Sequence, residues 1–301
     1  MSIIEEIILL AQFKNSLNKM IMSNKIIPSL WFDNQAKEAF DFYTDVFSNS
    51  SIIKDSPIVV EANIMGFDFI GINGGPIFKP NPSISYMAVF ESKKEVDSVW
   101  EKLLIGGQIL MPLDQYPFSE YYGWVQDKYG FNWQLYYGKL ENVNHQAIVP
   151  TLMFGGSQQG KCKEALKFYQ ELFPDFVSQG ILEYPDGATK GQVMHTQFTV
   201  NGVTLAAMDS GVPQEFSFNE ANSLTITCND QNEIDYYWNK IVKEGKESMC
   251  GWCKDQFGMS WQIVPKDISK MLKNPDSSAA LMKMKKIEIA KLLNPQSKLN
   301  E

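Results

Sequence analysis

The stretch "IIPSLWFDNQAKEAFDFYTDVF" (26–47) returns later in the chain as "IVPTLMFGGSQQGKCKEALKFYQELF" (148–173). The pairs Lys37/Lys163, Glu38/Glu164, Ala39/Ala165, Phe42/Phe168, Tyr43/Tyr169 and Phe47/Phe173 agree. A second string behaves in the same way: "YGWVQDKYGFNWQLYY" (122–137) returns as "CGWCKDQFGMSWQIVP" (250–265). There Gly123/Gly251, Trp124/Trp252, Asp127/Asp255, Gly130/Gly258, Trp133/Trp261 and Gln134/Gln262 match. Self-similarity at a near-constant offset means one structural unit used twice. The chain therefore divides into an N-terminal amphipathic extension (1–25), a first domain (26–138), a linker (139–147), a second domain (148–265) and a C-terminal helical tail (266–301).

Working outward from the repeat, Ile26–Phe32 reads as a strand, and 35–47 as a helix with Ala36, Ala39, Phe40, Tyr43 and Phe47 at helical spacing. Extended segments follow around 58–65 and 67–73, ending at the turn "NGGP". A strand (85–90), a helix (94–104) and strands at 108–113, 123–126 and 132–136 repeat the order. This β-α-β-β-β grammar, used twice per copy, predicts an α+β fold of mixed sheets curled into cupped half-barrels with helices on the outer face.

Composition narrows the function. With 301 residues, 44% hydrophobic and 21% charged, the chain has the make-up of a soluble globular protein of two domains. A net charge of −8 and the lack of a basic stripe exclude a nucleic-acid partner. All basic residues are lysine, so bidentate guanidinium clamps are not on offer. Four cysteines (162, 228, 250 and 253) are too few and too irregular for a disulfide framework. "MSIIEEIILLAQ" carries Glu5 and Glu6 where a secretory signal needs positive charge, and its apolar run is short. The expectation is a cytoplasmic protein with reduced thiols and no membrane partner; Met22 offers a second plausible start. In the tail, 276–293 reads as an amphipathic helix capped by Asp276 and Ser277, packed across the two-domain body.

P-x-L-x-F ahead of a K-E-A-x-x-F-Y-x-x-x-F helix resembles the vicinal oxygen chelate superfamily, which includes glyoxalase I, bleomycin-resistance proteins and extradiol dioxygenases. Those proteins are built from paired βαβββ modules. The G-W-x-x-D-x-[FY]-G-x-x-W-Q string and the tail resemble the PhnB-like branch, also called the 3-demethylubiquinone-9 3-methyltransferase domain. The resemblance covers residues 26–293. It implies a cavity for a small organic ligand, and a two-copy chain that is a monomer imitating the dimer of single-repeat relatives, or a homodimer. No Gly-rich S-adenosylmethionine loop accompanies the methyltransferase name.

The resemblance also implies where a divalent metal sits in metal-dependent members: His and carboxylate ligands from the first, fourth, fifth and last strands of a half-barrel. Alignment on the "FY" pair places Pro28 and Pro150 at the first position, Ser85 and Ser223 at the fifth-strand position, and Gln134 and Gln262 at the last. None supplies the charge or imidazole lone pair that such an ion takes, so no cofactor is expected, a divalent metal being possible only with its ligand positions unmatched.

The candidate site residues are as follows. His195, whose counterpart is Val59, is the candidate general base because imidazole titrates near neutrality; the alternative is a half-exposed strand histidine without a task. Glu61 and Gln197 align and are expected to face one cavity. Trp124, Trp252, Gln134 and Gln262 are candidate ligand-binding groups. Asn73 and Asp209 read as structural, and His145 as surface. "MCGWCKD" (249–255) looks like a thiol pair, yet its twin is "YGWV", and residues three apart on a strand point to opposite faces. Cys250 is left as either a cavity thiol or a small buried residue. Because His195 and Cys250 occur only in the second copy, chemistry is expected there. The leading expectation is binding of a small organic molecule. The alternatives are an isomerase, lyase or 3-demethylubiquinone-type methyltransferase with His195 as base, and a regulatory protein without a sizeable cavity.

Overall fold

The computed structural model describes residues 26–295. The proposed extension at 1–25 lies outside the described residues. The first module runs β1 (Ile26–Phe32), α1 (Ala36–Val46), β2 (Ser51–Asp55), β3 (Val59–Ile64), β4 (Phe67–Asn73). The second runs β5 (Ile84–Phe90), α2 (Lys93–Leu103), β6 (Gln108–Tyr116), β7 (Ser119–Gln126), β8 (Asn132–Tyr137). The second copy repeats both: β9 (Ile148–Phe154), α3 (Cys162–Leu172), β10 (Val177–Glu183), β11 (Val193–Val200), β12 (Val203–Asp209); then β13 (Asn222–Cys228), α4 (Gln231–Val242), β14 (Lys246–Glu247), β15 (Trp252–Lys254), β16 (Ser260–Pro265). Strand β2 escaped the sequence because "SIIKD" puts two isoleucines side by side, without the alternation that marks a half-buried strand.

The sheets do not follow the copies. Sheet A has the order β14-β15-β16-β13-β1-β4-β3-β2, and sheet B the order β10-β11-β12-β9-β5-β8-β7-β6. The first module thus joins the fourth through β1 and β13, which run antiparallel with Ser29 opposite Ser223. The second joins the third through β5 and β9, with Ser85 opposite Thr151. Each eight-stranded cup is half first copy and half second copy.

Side-chain alternation decides what each strand gives to core and cup. Ile26, Leu30, Phe32, Tyr86, Trp133, Leu152, Phe198 and Trp261 turn to the helix side, where one continuous core joins both sheets. The helices cover the convex outer face of each cup, and the two convex faces meet: Phe69 of sheet A lies 5.1 Å from Tyr86 of sheet B, ring centroid to centroid.

The repeated Asp and Tyr explain one another inside this core. Asp127 accepts hydrogen bonds from the Tyr43 hydroxyl (2.7 Å), the Trp133 indole N–H (2.8 Å) and the amides of Tyr129 and Phe131. Asp255 repeats the set with Tyr169 (3.1 Å), Trp261 (3.0 Å), Phe257 and Met259. Each latch ties the first helix of a copy to the last hairpin of the same copy, across the two sheets. A buried carboxylate is tolerated because four donors replace its water. The ends of β4 and β12 are structural too, but as helix caps rather than turn formers: Asn73 accepts from the Ala36 amide (2.9 Å) and Asp209 from the Cys162 amide (3.1 Å).

The linker folds as a plug. Residues Leu140–Val143 form a 3-10 turn, and Val143 packs with Met87, Val89, Val149 and Ala206. Gln146 clamps Thr204 by donating to its carbonyl (2.7 Å) and accepting from its amide (2.9 Å). The tail is not the single helix expected at 276–293. It breaks into α5 (Ile268–Met271), α6 (Pro275–Leu281) and α7 (Ile289–Leu293), and the cap of α6 is Asn274 rather than Asp276 or Ser277. The segment crosses sheet A as a strap, with Val264, Met284, Ile287 and Leu292 forming their own apolar cluster.

Candidate functional site

Strand register lays out one row of inward-facing side chains across each cup. In sheet A the row runs Lys54, Glu61, Ile70, Ser29, Ser223 and, one step along the same face of β13, Thr225 opposite Gln262, which faces Trp252. In sheet B the equivalent row is Gln197, Ala206, Thr151, Ser85 and, one step along the same face of β5, Met87 opposite Gln134, which faces Trp124. The candidate residues therefore fall into two cups. Glu61, Trp252 and Gln262 come together in cup A; His195, Gln197, Trp124 and Gln134 share cup B.

Three expectations are corrected here. Glu61 and Gln197 hold matching positions but face different cavities, because the copies exchange halves. His195 and Cys250 likewise belong to different sheets, so the second copy does not gather them into one site. Pro28 sits opposite Leu224, a core residue, and residues directly opposite in an antiparallel pair share a face. Pro28 and its equivalent Pro150 therefore lie on the helix side; the first-strand positions that face the cups are Ser29 and Thr151.

Cup A has a polar floor. Ser29 and Thr225 share a hydrogen bond of 2.7 Å, and Gln262 donates to Ser223 at 3.0 Å. Glu61 accepts from Lys54 at 3.0 Å, and the same ammonium reaches Ser269 of the strap at 3.1 Å. The half-buried indoles of Trp31 and Trp252 stand edge to face, 6.0 Å between centroids. Trp31 was not among the sequence candidates, since its counterpart Met153 hid the pattern; alternation from the buried Leu30 and Phe32 would have found it.

Cup B has the same amide–hydroxyl pair, Gln134 donating to Ser85 at 2.7 Å and accepting from Tyr122 at 2.9 Å. The rest of its floor, Met87, Val89, Val149 and Ala206 around Thr151, is covered by the linker plug. Gln197 donates to the Asn142 carbonyl of that plug (3.2 Å). His195, half-exposed beside Leu182 of the edge strand, is pushed below its ordinary pKa by burial and stays neutral at pH 7. It makes no hydrogen bond to another described residue. Trp133 and Trp261 are core residues and Trp124 and Trp252 face the cups, so the two repeated tryptophan pairs divide their tasks.

The donor set does not fit a divalent cation. The aligned positions carry hydroxyls and neutral amides, Glu61 is engaged by Lys54, and no group of three His, Cys, Asp or Glu gathers among the described residues.

The C-x-x-C segment is not one strand. Cys250 and Gly251 form a turn with positive φ (58° and 85°), and β15 begins at Trp252. A Cβ at position 251 would stand 2.8 Å from the Ile263 carbonyl and 2.9 Å from Ile287, so glycine is needed twice over. The strap covers Cys250: the Met284 carbonyl accepts from its amide (2.7 Å), and its sulfur lies 3.7 Å from Met282 Sδ. Cys253 is buried in the core, and all four cysteines are free thiols.

Comparison with known proteins follows these lines. The family model described as 3-demethylubiquinone-9 3-methyltransferase matches residues 24–136 and again 146–264. The solved PhnB protein of Bacillus cereus is 34% identical over 37% of this chain and 98% of its own, with a TM-score of 0.35. A Staphylococcus aureus protein is 30% identical over 38% and 97%, with a TM-score of 0.18. Glyoxalase I from Zea mays is 14% identical over 81% of this chain and 92% of its own, with a TM-score of 0.55, a likeness of fold. No curated protein matches the chain. Among the described residues no helix is long and apolar enough to cross a membrane. Tandem half-barrel domains that pair within one chain, as in glyoxalase I, and a family model matched twice lead to one statement: the chain belongs to the 3-demethylubiquinone-9 3-methyltransferase (PhnB-like) family of the glyoxalase fold.

Proposed function

We propose that this protein binds a small, partly aromatic organic molecule in cup A and needs no metal to do so. One observation carries the reading: the Trp31–Trp252 pair stands at the end of a row of neutral hydrogen-bonding groups, Gln262–Ser223 and Ser29–Thr225, that faces the same cup. Flat indole walls beside a few fixed polar groups are the make-up of small-molecule sites. Cup B is filled by the chain's own linker, whereas in cup A the strap meets the row at Lys54 and packs on Val264, away from the two indoles. The test is a thermal-shift screen of small oxygenated aromatic compounds, followed by mass spectrometry of the recovered ligand. The reading expects saturable stabilisation lost in Trp252→Ala, ligand returned unchanged, and sub-stoichiometric metal in the untagged protein. Stabilisation by uncharged compounds that survives in Trp252→Ala overturns it.

A second reading rests on His195. A neutral imidazole on a cup face, without a hydrogen-bond partner among the described residues, has the protonation state of a general base. If the protein is an isomerase, lyase or methyltransferase, His195→Gln abolishes turnover while the fold is kept; unchanged turnover removes this residue from the mechanism.

A further inference from the structure

At the seam between the sheets lies a cavity of about 360 Å³ that no candidate residue foresaw. Its walls come from the end of β1, from the connection between the first two modules, and from the β7–β8 turn. Trp31, Phe78 and Tyr129 supply aromatic surface, and Phe78 stands edge to face with Trp31 at 5.1 Å. Lys79 and Lys128 supply the cations and Asp33 the one carboxylate of the lining, so the cavity is net positive in a chain of net charge −8.

The repeat provides an internal control. The matching place in the second copy is crowded: a Cβ on Gly155, the counterpart of Asp33, would meet Gln214 at 3.2 Å, and one on Gly156 would meet the Phe216 carbonyl at 2.6 Å. Lys128 and Tyr129 become Gln256 and Phe257, so the Lys128 cation has no counterpart there.

We propose that this seam cavity is a binding site for a small aromatic carboxylate, its ring lying against the Trp31–Phe78 pair and its anion between Lys79 and Lys128. The volume suits a single-ring ligand. Lys128, which lies 4.6 Å from the Phe42 ring centroid and 5.0 Å from that of Tyr129, is held in place by these faces. Its nearest acid, Glu38, is 4.0 Å away, at the limit of an ion pair; Lys79 has no ion pair among the described residues. The site extends the small-molecule reading given for cup A, sharing only the Trp31 wall with it.

The test uses benzoate and its neutral analogue benzyl alcohol, titrated into the full-length protein while the indole N–H signals of the seven tryptophans are followed by NMR. Trp31 reports both sites, and Trp252 reports cup A alone. The expected result is a saturable shift of Trp31 with benzoate, at least about tenfold tighter than with benzyl alcohol, as one direct charge contact provides. The affinity falls with added salt. Lys79→Met, at an exposed position, weakens benzoate about tenfold and leaves benzyl alcohol unchanged. Equal affinities for the two probes, or benzoate binding untouched by Lys79→Met, overturn the seam site. A shift of Trp252 without Lys79 dependence leaves cup A standing and removes the seam. Benzoate binding that depends on Lys79 and leaves Trp252 unmoved separates the seam from cup A.

Discussion

Replacing Tyr169 by Phe removes one hydroxyl from the core and one donor from the Asp255 carboxylate, while the ring and its packing remain. Asp255 is 2% exposed. Burial pushes its carboxyl up to about 6 from an ordinary 3.8, against the opposing pull of Trp261, Phe257, Tyr169 and Met259. A hydrogen bond to a buried charge contributes about 1.5–3 kcal/mol, and one to a neutral group about 1 kcal/mol. At pH 8 the carboxylate is ionised in the fold, so Tyr169→Phe should cost about 2 kcal/mol. At pH 5 the acid is protonated in the native state and the cost falls to about 1 kcal/mol.

The wild type has its own pH dependence. A raised native pKa means the fold binds this proton more tightly than the unfolded chain does. This group's contribution is therefore unfavourable above about 6 and is relieved as the pH falls from 7 towards 4. The interval between 3.8 and about 6 amounts to about 3 kcal/mol. Urea unfolding of wild type and variant at pH 8 and pH 5 reads both effects from the midpoint at constant m. A cost below about 0.5 kcal/mol at pH 8, or a larger cost at pH 5 than at pH 8, refutes the latch.

Further outcomes are expected elsewhere. A thiol reagent applied to the native protein should add to Cys250 alone, slowly at pH 7 because burial raises its pKa and faster as pH rises; a second rapid adduct, or a mass two hydrogens lighter, speaks against the separation of Cys250 and Cys253. Ile287→Ala empties a fully buried site in the strap and should cost about 2–4 kcal/mol of local stability. Limited proteolysis should then cut within 266–293 before the sheets, and cuts appearing first in the sheets refute an independent strap. Gln262→Leu removes the donor to Ser223 in cup A and should weaken the small-molecule stabilisation expected there about tenfold; equal stabilisation in wild type and variant argues against the polar row as the binding floor.

The repeat, the module grammar and the family resemblance were legible because they rest on local signals: helical spacing, alternation and a string of turn and core residues. The ends of the elements came within a few residues for the same reason. Which module pairs with which was not legible. Both pairings bury the same faces of β1 and β5, and only tertiary assembly distinguishes them. With no pairing assigned, matching positions were placed together, setting Glu61 with Gln197 in one cavity and His195 with Cys250 in one copy. Pro28 was misread through a one-residue shift along β1, which on a strand exchanges cup for core. The buried partnership of the repeated Asp was not legible because its partner Tyr lies far away in sequence, and Trp31 escaped because its twin is a methionine. The run at 276–293 broke into two helices where the sequence showed one periodic run, since Met284 and Ile287 are drawn to Cys250 and Gly251.

The central claim is that each cup is built from opposite halves of the two copies, and a designed cross-link tests it most directly. Ser29 and Ser223 lie directly opposite on antiparallel β1 and β13, where Cα atoms about 5.5 Å apart satisfy the geometry of a disulfide. Ser29→Cys/Ser223→Cys, oxidised at low protein concentration, is expected to yield a monomer whose digest contains the peptide joining the first copy to the second. Ser29→Cys/Ser85→Cys, which would link if each copy closed on itself, is expected to remain reduced. A cross-link in the second pair and none in the first would contradict the account.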